Sequence, residues 1–392
     1  MKGGIYIIDI KYKKIYEAFI NHYKEKHVNP WHEITEEELN QIYNNIIANY
    51  NIDDDYSFNY LMNVIIKKLS GILDAHTQYE DVQRIPMNFK IFENEVLVNY
   101  PKELKGASLL SINGISIIEV IKELDSVITY GTEGKKKYET EKALFNKKKL
   151  FGIPLFRNSD ELIMNLKTIE GRIITKKFTK EEEYSKDEMF DDLEYRYGRP
   201  GTYKFENGKL IITHSSVQNR FKENIENMIN ELNKINLSEI DTIIVDIRGN
   251  IGGNSAHNKP LIEFLKNSNK NILCLTDYRV FSGGRYALLD LIKLGATTIG
   301  TEISTPLNCY GNNEWIGYNN HWFSSSSSFL APNIGWSVSS KEEYLSKATE
   351  EKVTPVFFKP DIYIEQSKED YLNGVDTILN YALSYNKNNS KK

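Results

Sequence analysis

From about residue 200 the chain alternates short apolar runs with longer amphipathic ones. KLIITHSS, DTIIVDIRGN, NILCLTDYRVF and TTIGTEI read as strands. ENIENMINELNKI, the stretch begun by GGNSAHNKPLIEFLKN, and GRYALLDLIKLG read as helices, the last closed by Gly295. DTIIVDIRGN is apolar without alternation, which predicts a strand buried on both faces. Strands alternating with helices predict a largely parallel sheet covered by helices, an α/β core. NILCLTDYRVF is expected to run as a strand up to Ser282.

The chain before this core reads differently. Residues 1–84 form a helical region, because EEELNQIYNNIIANY and FNYLMNVIIKKLSGIL repeat apolar residues at helical spacing. ITEEEL offers a threonine before an acidic first turn, a helix start. Residues 85–195 are expected to be β-rich. FKIFENEVLVNY alternates around a turn at Glu93-Asn94, and ELIMNLKTIEGRIITKKF predicts a hairpin around Glu170-Gly171. Between them, Leu109–Ile112 reads as a strand that meets an Asn113-Gly114 turn, with a helix from near Ile117. The charged KKFTKEEEYSKDEMFDDLEYR reads as an exposed connection, so a third region is placed at 196–392. Within it, Ser324–Ser328 is read as a solvated loop, and EDYLNGVDTILNYALSYN as one amphipathic helix before a frayed polar tail. A length of 392 residues suits two or three domains.

Charge narrows the choice of partner. There are 49 basic and 54 acidic side chains, a net charge of −5, so nothing electrostatic favours a nucleic acid. The two cysteines, Cys274 and Cys309, make neither a metal pattern nor a disulfide framework and are expected as buried thiols. His22, His27, His32 and His321 show no metal-ligand spacing, so no metal and no cofactor is expected. The apolar runs are strand-length, which predicts no membrane span. MKGGIYIIDIKYKK lacks the features of a signal peptide. The chain as it stands reads as soluble and cytoplasmic; an exported protein with its leader removed reads the same.

Two strand ends carry the chemistry. In VDIRGNIGGNS a buried strand enters a loop with three glycines before a helix. Such a loop can turn backbone N–H groups inward on an anion. The lysine of a phosphate-binding P-loop is missing, which leaves the oxyanion of an acyl-transfer intermediate or a plain tight turn. In VFSGGRY, Ser282 stands between strand and helix and is followed by two glycines. That placement exposes a hydroxyl as a nucleophile elbow does; it also suits a helix N-cap.

Together these segments resemble the tail-specific or C-terminal processing peptidase family. DAHTQY is similar to a segment near the start of many members, GASLLSINGISI to the PDZ-type segment they insert, and KPDIYIEQSKEDYLNGVD to their ending. The likeness runs from about residue 55 to 385. It implies a ClpP/crotonase-like core of sheet and helices, a PDZ-like middle region and a polypeptide substrate. It implies Ser282 as nucleophile, with Gly252 and Gly283 as oxyanion donors and Gly253 as the alternative to Gly252. Processing peptidases use a lysine base downstream of the serine, but EISTPLNCYG has none there, and Arg285 replaces a usual glutamate. The tricorn-like branch uses histidine, and KLIITHSS puts Thr213 and His214 at its position. The resemblance therefore implies His214 as base and Thr213 as a supporting hydroxyl. The resemblance also implies Glu350 as the orienting acid, with Glu351 and Glu302 as second candidates. His76 is expected to make a structural hydrogen bond, and His257 is a lesser candidate base. His214 also suits a buried core histidine. Two further readings stay open: a degenerate member that binds a peptide or small ligand without cleaving it, and a crotonase-like acyl enzyme.

Overall fold

A computed structural model of the chain describes residues 8–93, 95–184 and 200–386. The chain forms two compact units: Met1–Phe190 with Asn308–Pro355, and Asp191–Leu307 with Val356–Lys392. It is a mixed α/β protein, with three sheets among the described residues.

The first unit begins with the helices Ile10–Lys26, Glu36–Asn49 and Asp55–Ser70. The start predicted at ITEEEL is a full capping box: Thr35 accepts from the Glu38 N–H and the Glu38 carboxylate accepts from the Thr35 N–H. A five-strand antiparallel path follows in the order Asn88–Phe92, Glu95–Tyr100, Ser108–Ile112, Glu161–Lys167, Ile173–Thr179. Asn113 and Gly114 both take positive φ, and the helix Ile117–Leu124 starts where the sequence places it. Gly171, at φ 86, turns the predicted second hairpin. The predicted charged connection lies, from residue 185 to 199, outside the described residues.

The five-serine run is not a loop. Ser324–Ser328 lies inside the strand His321–Ala331, paired with Cys309–Tyr318. Ser324, Ser325, Ser326 and Ser328 are buried. Ser324 donates to the His76 carbonyl at 2.6 Å and Ser326 to Asp74 Oδ1 at 2.6 Å. Ser324 and Ser326 are thus satisfied on the DAHTQY segment, which a hydropathy pattern does not display, while the buried Ser325 and Ser328 hydroxyls have no partner among the described residues. Burial pushes the Asp74 carboxyl up, but His27, His32 and Ser326 hold it well below the usual range.

The second unit is built on a six-stranded sheet. Its order is Ile362–Tyr363, Thr297–Gly300, Asn271–Thr276, Thr242–Asp246, Lys209–Thr213, Thr202–Glu206. The first five strands are mutually parallel and the last pairs antiparallel. Both faces are covered, as the unbroken apolar runs predict. Leu210, Ile212, Ile243, Val245 and Cys274 face helices Lys222–Leu232, Lys259–Ser268 and Gly283–Lys293. Ile211, Ile244, Leu273 and Leu275 pack with Ile378, Ala382 and Leu383 of the helix Thr377–Ser384. Two expectations need correction. The strand expected to reach Ser282 stops at Thr276. The single C-terminal helix is two, Lys368–Leu372 and Thr377–Ser384, interrupted at Gly374 (φ 72). Among the described residues no helix is long and apolar enough to cross a membrane.

Candidate active site

The parallel sheet delivers three chain segments to one end: the residues after Thr213, after Asp246 and after Thr276. Ligand sites in parallel sheets form at such carboxyl ends.

After Thr276 the chain leaves the sheet in a turn fixed by a buried ion pair. Asp277 Oδ2 accepts from Arg279 Nε at 2.9 Å, and Oδ1 accepts from the N–H groups of Arg279 and Gly249 at 3.0 Å each. Burial raises the Asp277 carboxyl, but Arg279 and the two N–H groups hold it below its usual value. The turn ends at Ser282, which has φ 48° and ψ −118° and caps the helix Gly283–Lys293. That region is one where a side chain is normally strained, at about 1–3 kcal/mol. The Ser282 hydroxyl makes no capping hydrogen bond to its helix. Ser282 therefore occupies the N-cap position without performing an N-cap's usual task.

The glycine loop lies directly against this turn. A Cβ on Gly252 would stand 2.6 Å from the Gly283 nitrogen and 2.7 Å from Ser282 Cβ. One on Gly283 would stand 2.6 Å from the Gly253 carbonyl oxygen. Only glycine allows such an approach of two backbones. The loop is anchored behind by Arg248, whose guanidinium pairs with Asp246 at 2.6 Å and Asp376 at 2.7 Å. In front, Val217 bridges it, donating to the Gly252 carbonyl and accepting from the Asn254 N–H. The Gly252 N–H is committed, donating to Asn250 Oδ1 at 3.0 Å. The N–H groups of Gly253 and Gly283 have no acceptor among the described residues.

His214 follows the strand that ends at Thr213, and it is fully buried. Its ring Nε2 lies 2.8 Å from Asn258 Oδ1, its N–H donates to the Asp246 carbonyl, and its carbonyl accepts from Asn250 Nδ2 at 2.7 Å. Its Nδ1 is buried and has no hydrogen-bond partner among the described residues. Burial lowers the His214 pKa, Asn258 opposes that, and the nearby His257 adds to it. Among the described residues no hydrogen bond joins His214 to Ser282. Thr213 ends its strand, its carbonyl accepting from the Gly201 N–H. Glu302 lies just beyond Thr297–Gly300, with no bond to His214. Glu350 and Glu351 head the short helix Glu350–Val353 and belong to the other unit. His257 gives Nδ1 to the Val217 carbonyl at 3.1 Å. His76 gives Nδ1 to the Tyr310 carbonyl at 3.0 Å, the structural bond expected of it. Arg285 is buried, with Nη1 on the Pro306 carbonyl.

The sequence reading did not single out Asn250, Asn258 or the Asp277–Arg279 pair as parts of this end of the sheet. The signal for Asn250 and for the Asp277–Arg279 pair was a polar residue soon after an apolar strand, and for Asn258 its place before the helix Lys259–Ser268. Both cysteines are free and buried. Among the described residues no group of three His, Cys, Asp or Glu side chains is placed to hold a metal ion.

Ser282 stands at positive φ on a helix start, against a loop with an unspent N–H, and so shares the backbone placement of the serine in a nucleophile elbow. The fold is that of mature CPAF: the two chains align over 98% of this one and 99% of the other, with a TM-score of 0.63 and 10% identity. Mature CPAF complexed with lactacystin aligns over 96% and 99%, with a TM-score of 0.62 and 10% identity. The photosystem II D1 C-terminal processing protease aligns over 91% and 94%, with a TM-score of 0.43 and 10% identity. No family model and no curated protein matches the sequence.

Proposed function

We propose that the chain is a serine-type peptidase acting on unfolded or C-terminal polypeptide segments. The observation that carries this is Ser282 itself, with a strained backbone, a hydroxyl unused by its helix, and the Gly283 and Gly253 N–H groups beside it. The Ser282 oxygen attacks the carbonyl carbon of the scissile bond and gives its proton to a base. The tetrahedral oxyanion is held by backbone N–H groups, each such donor worth about 10²- to 10³-fold in rate. The amine then leaves with the proton, and water releases the acyl group by the same steps. Since the Gly252 N–H is held by Asn250, Gly253 is the better partner for Gly283.

His214 is the proposed base. With Nε2 on Asn258, Nδ1 is the nitrogen left to receive the proton, with Thr213 beside it in sequence. Glu350 as orienting acid, with Glu351 or Glu302 as the alternative, rests on the family resemblance alone. The same resemblance supports a ClpP/crotonase-like core and a PDZ-like region within 85–195. That region's antiparallel sheet, with edge strands Asn88–Phe92 and Ile173–Thr179, suits capture of an extended peptide by strand addition.

The test is cleavage of an unfolded protein by wild type and by Ser282→Ala, His214→Ala, His257→Ala and His76→Ala. Loss with Ser282→Ala and His214→Ala supports the assignment. Wild-type cleavage by Ser282→Ala overturns it, and loss confined to another histidine variant moves the base. The second reading is a binding protein on a peptidase fold, favoured by the full burial of His214 and its lack of a bond to Ser282. Stoichiometric peptide binding by wild type without turnover would establish that reading instead.

A further inference from the structure

We propose that Asn258 is a positioning residue: it fixes which nitrogen of His214 carries the proton, and it ties that ring to the Ser282 turn. The second half rests on the functional reading above; the first does not.

The argument is one of donors and acceptors. Asn258 is 2% exposed, so its amide cannot turn to water for partners. One end faces the Gly283 carbonyl at 3.4 Å. A carbonyl only accepts, so the NH₂ end must lie there. The other end, Oδ1, therefore faces His214 Nε2 at 2.8 Å. An amide oxygen also only accepts, so Nε2 must carry the hydrogen. A neutral imidazole has one N–H, which leaves Nδ1 as a bare lone pair. Turning the amide over would set carbonyl against carbonyl, and shifting the proton would set lone pair against lone pair. The buried Nδ1, without a partner among the described residues, is the atom this assignment leaves basic.

Asn250 holds the same residue from the backbone side. Its Nδ2 donates to the His214 carbonyl, and its Oδ1 accepts from the Gly252 N–H. The ring and backbone of His214 are thus laced by two buried asparagines to the two glycine segments that meet at Ser282. The titratable group facing His214 is His257, so burial and a second imidazole together favour the neutral ring.

The experiment is ¹⁵N NMR of the histidine-labelled full chain, paired with pH–rate profiles. Wild type is expected to show His214 as the Nε2–H tautomer. Asn258→Ala should mix the tautomers and lower kcat by about 10-fold or more, since a wrong tautomer in a serine–histidine site can cost up to about 10⁴-fold. Asn258→Asp keeps the shape and sets a carboxylate on Nε2–H, so the His214 pKa should rise by about one unit or more. Circular dichroism confirms that each variant is folded, and Asn258→Asp carries the test should Asn258→Ala fail to fold. An Nδ1–H tautomer in wild type, or a wild-type tautomer in Asn258→Ala, overturns the positioning role. If the His214 pKa rises in Asn258→Asp while the acid limb of kcat/KM stays put, the positioning role stands and His214 is not the base.

Discussion

Gly252→Ala should damage this protein more than an ordinary glycine substitution at positive φ, and the structure says by how much. Gly208, at φ 72 in the turn between Thr202–Glu206 and Lys209–Thr213, has open space where a Cβ would go. Gly208→Ala therefore carries only the backbone cost of a left-handed residue, about 1–2 kcal/mol. Gly252, at φ 101, carries a similar cost and adds a collision. Its Cβ would lie within 3.0 Å of the Gly283 nitrogen, Ser282 Cβ and the Phe281 oxygen. These are backbone and Cβ atoms that no rotamer change can move aside. Overpacking of this kind costs about 1–3 kcal/mol more. Both glycines belong to the same unit, so the two variants report on one core. For a unit of this size the excess corresponds to roughly 2–12 °C in melting temperature. The relief available is separation of the loop from the Ser282 turn, which also moves the N–H groups proposed to hold the oxyanion. A shift of about 1 Å can cost on the order of 10²-fold in rate. Urea and thermal melts of both variants, with labelling rates by a fluorophosphonate, test this. Equal melts and equal labelling in Gly208→Ala and Gly252→Ala would refute the close approach of the two backbones.

Three further outcomes are expected. Ser282→Gly should abolish cleavage yet stabilise the fold by about 1 kcal/mol, because it relieves the positive φ; a lower melting temperature would contradict a strained serine. Asp277→Asn should cost about 3–5 kcal/mol near neutral pH, since it removes the buried carboxylate charge opposite Arg279 and can set an NH₂ group against Arg279 Nε, while Oδ1 can still accept from the Gly249 N–H. The Asp277 pKa is lowered from 3.8, so its contribution is full above that value and is lost as the pH falls toward its folded value. The gap between wild type and Asp277→Asn in urea melts should thus narrow as the pH falls below the ordinary carboxylate value of about 4, and a constant gap would refute the ion pair. Thr35→Ala should cost about 1 kcal/mol through loss of the capping box, read from a urea melt, and no change would show the cap to be idle.

What was legible in the sequence follows from where the apolar signal lay. Lys209–Thr213, Thr242–Asp246 and Asn271–Thr276 announced themselves because both faces are covered and every residue that packs is aliphatic or cysteine. Asn113-Gly114 and Ser282 stood out through the chemistry of turns. The serine strand was hidden because two of its buried hydroxyls, on Ser324 and Ser326, bond to His76 and Asp74, far away in sequence. The end of the Asn271–Thr276 strand was hidden because Asp277 and Arg279 satisfy each other locally, and a D-x-R triplet reads equally well as a solvated strand end. Gly374 is a single residue inside an amphipathic pattern, and the sequence does not say whether the helix tolerates it. His214 shows the limit most clearly. KLIITHSS reads as a strand that carries His214, but the strand ends at Thr213, and nothing in the sequence says that an asparagine 44 residues on occupies the ring's Nε2.

The central claim is that Ser282 is an activated nucleophile. Its most direct test is reaction of the folded chain with a fluorophosphonate, followed by peptide mass spectrometry. The expected result is a single phosphonyl adduct on Ser282, absent from Ser282→Ala. A folded chain that stays unlabelled, or labels equally after Ser282→Ala, would contradict it.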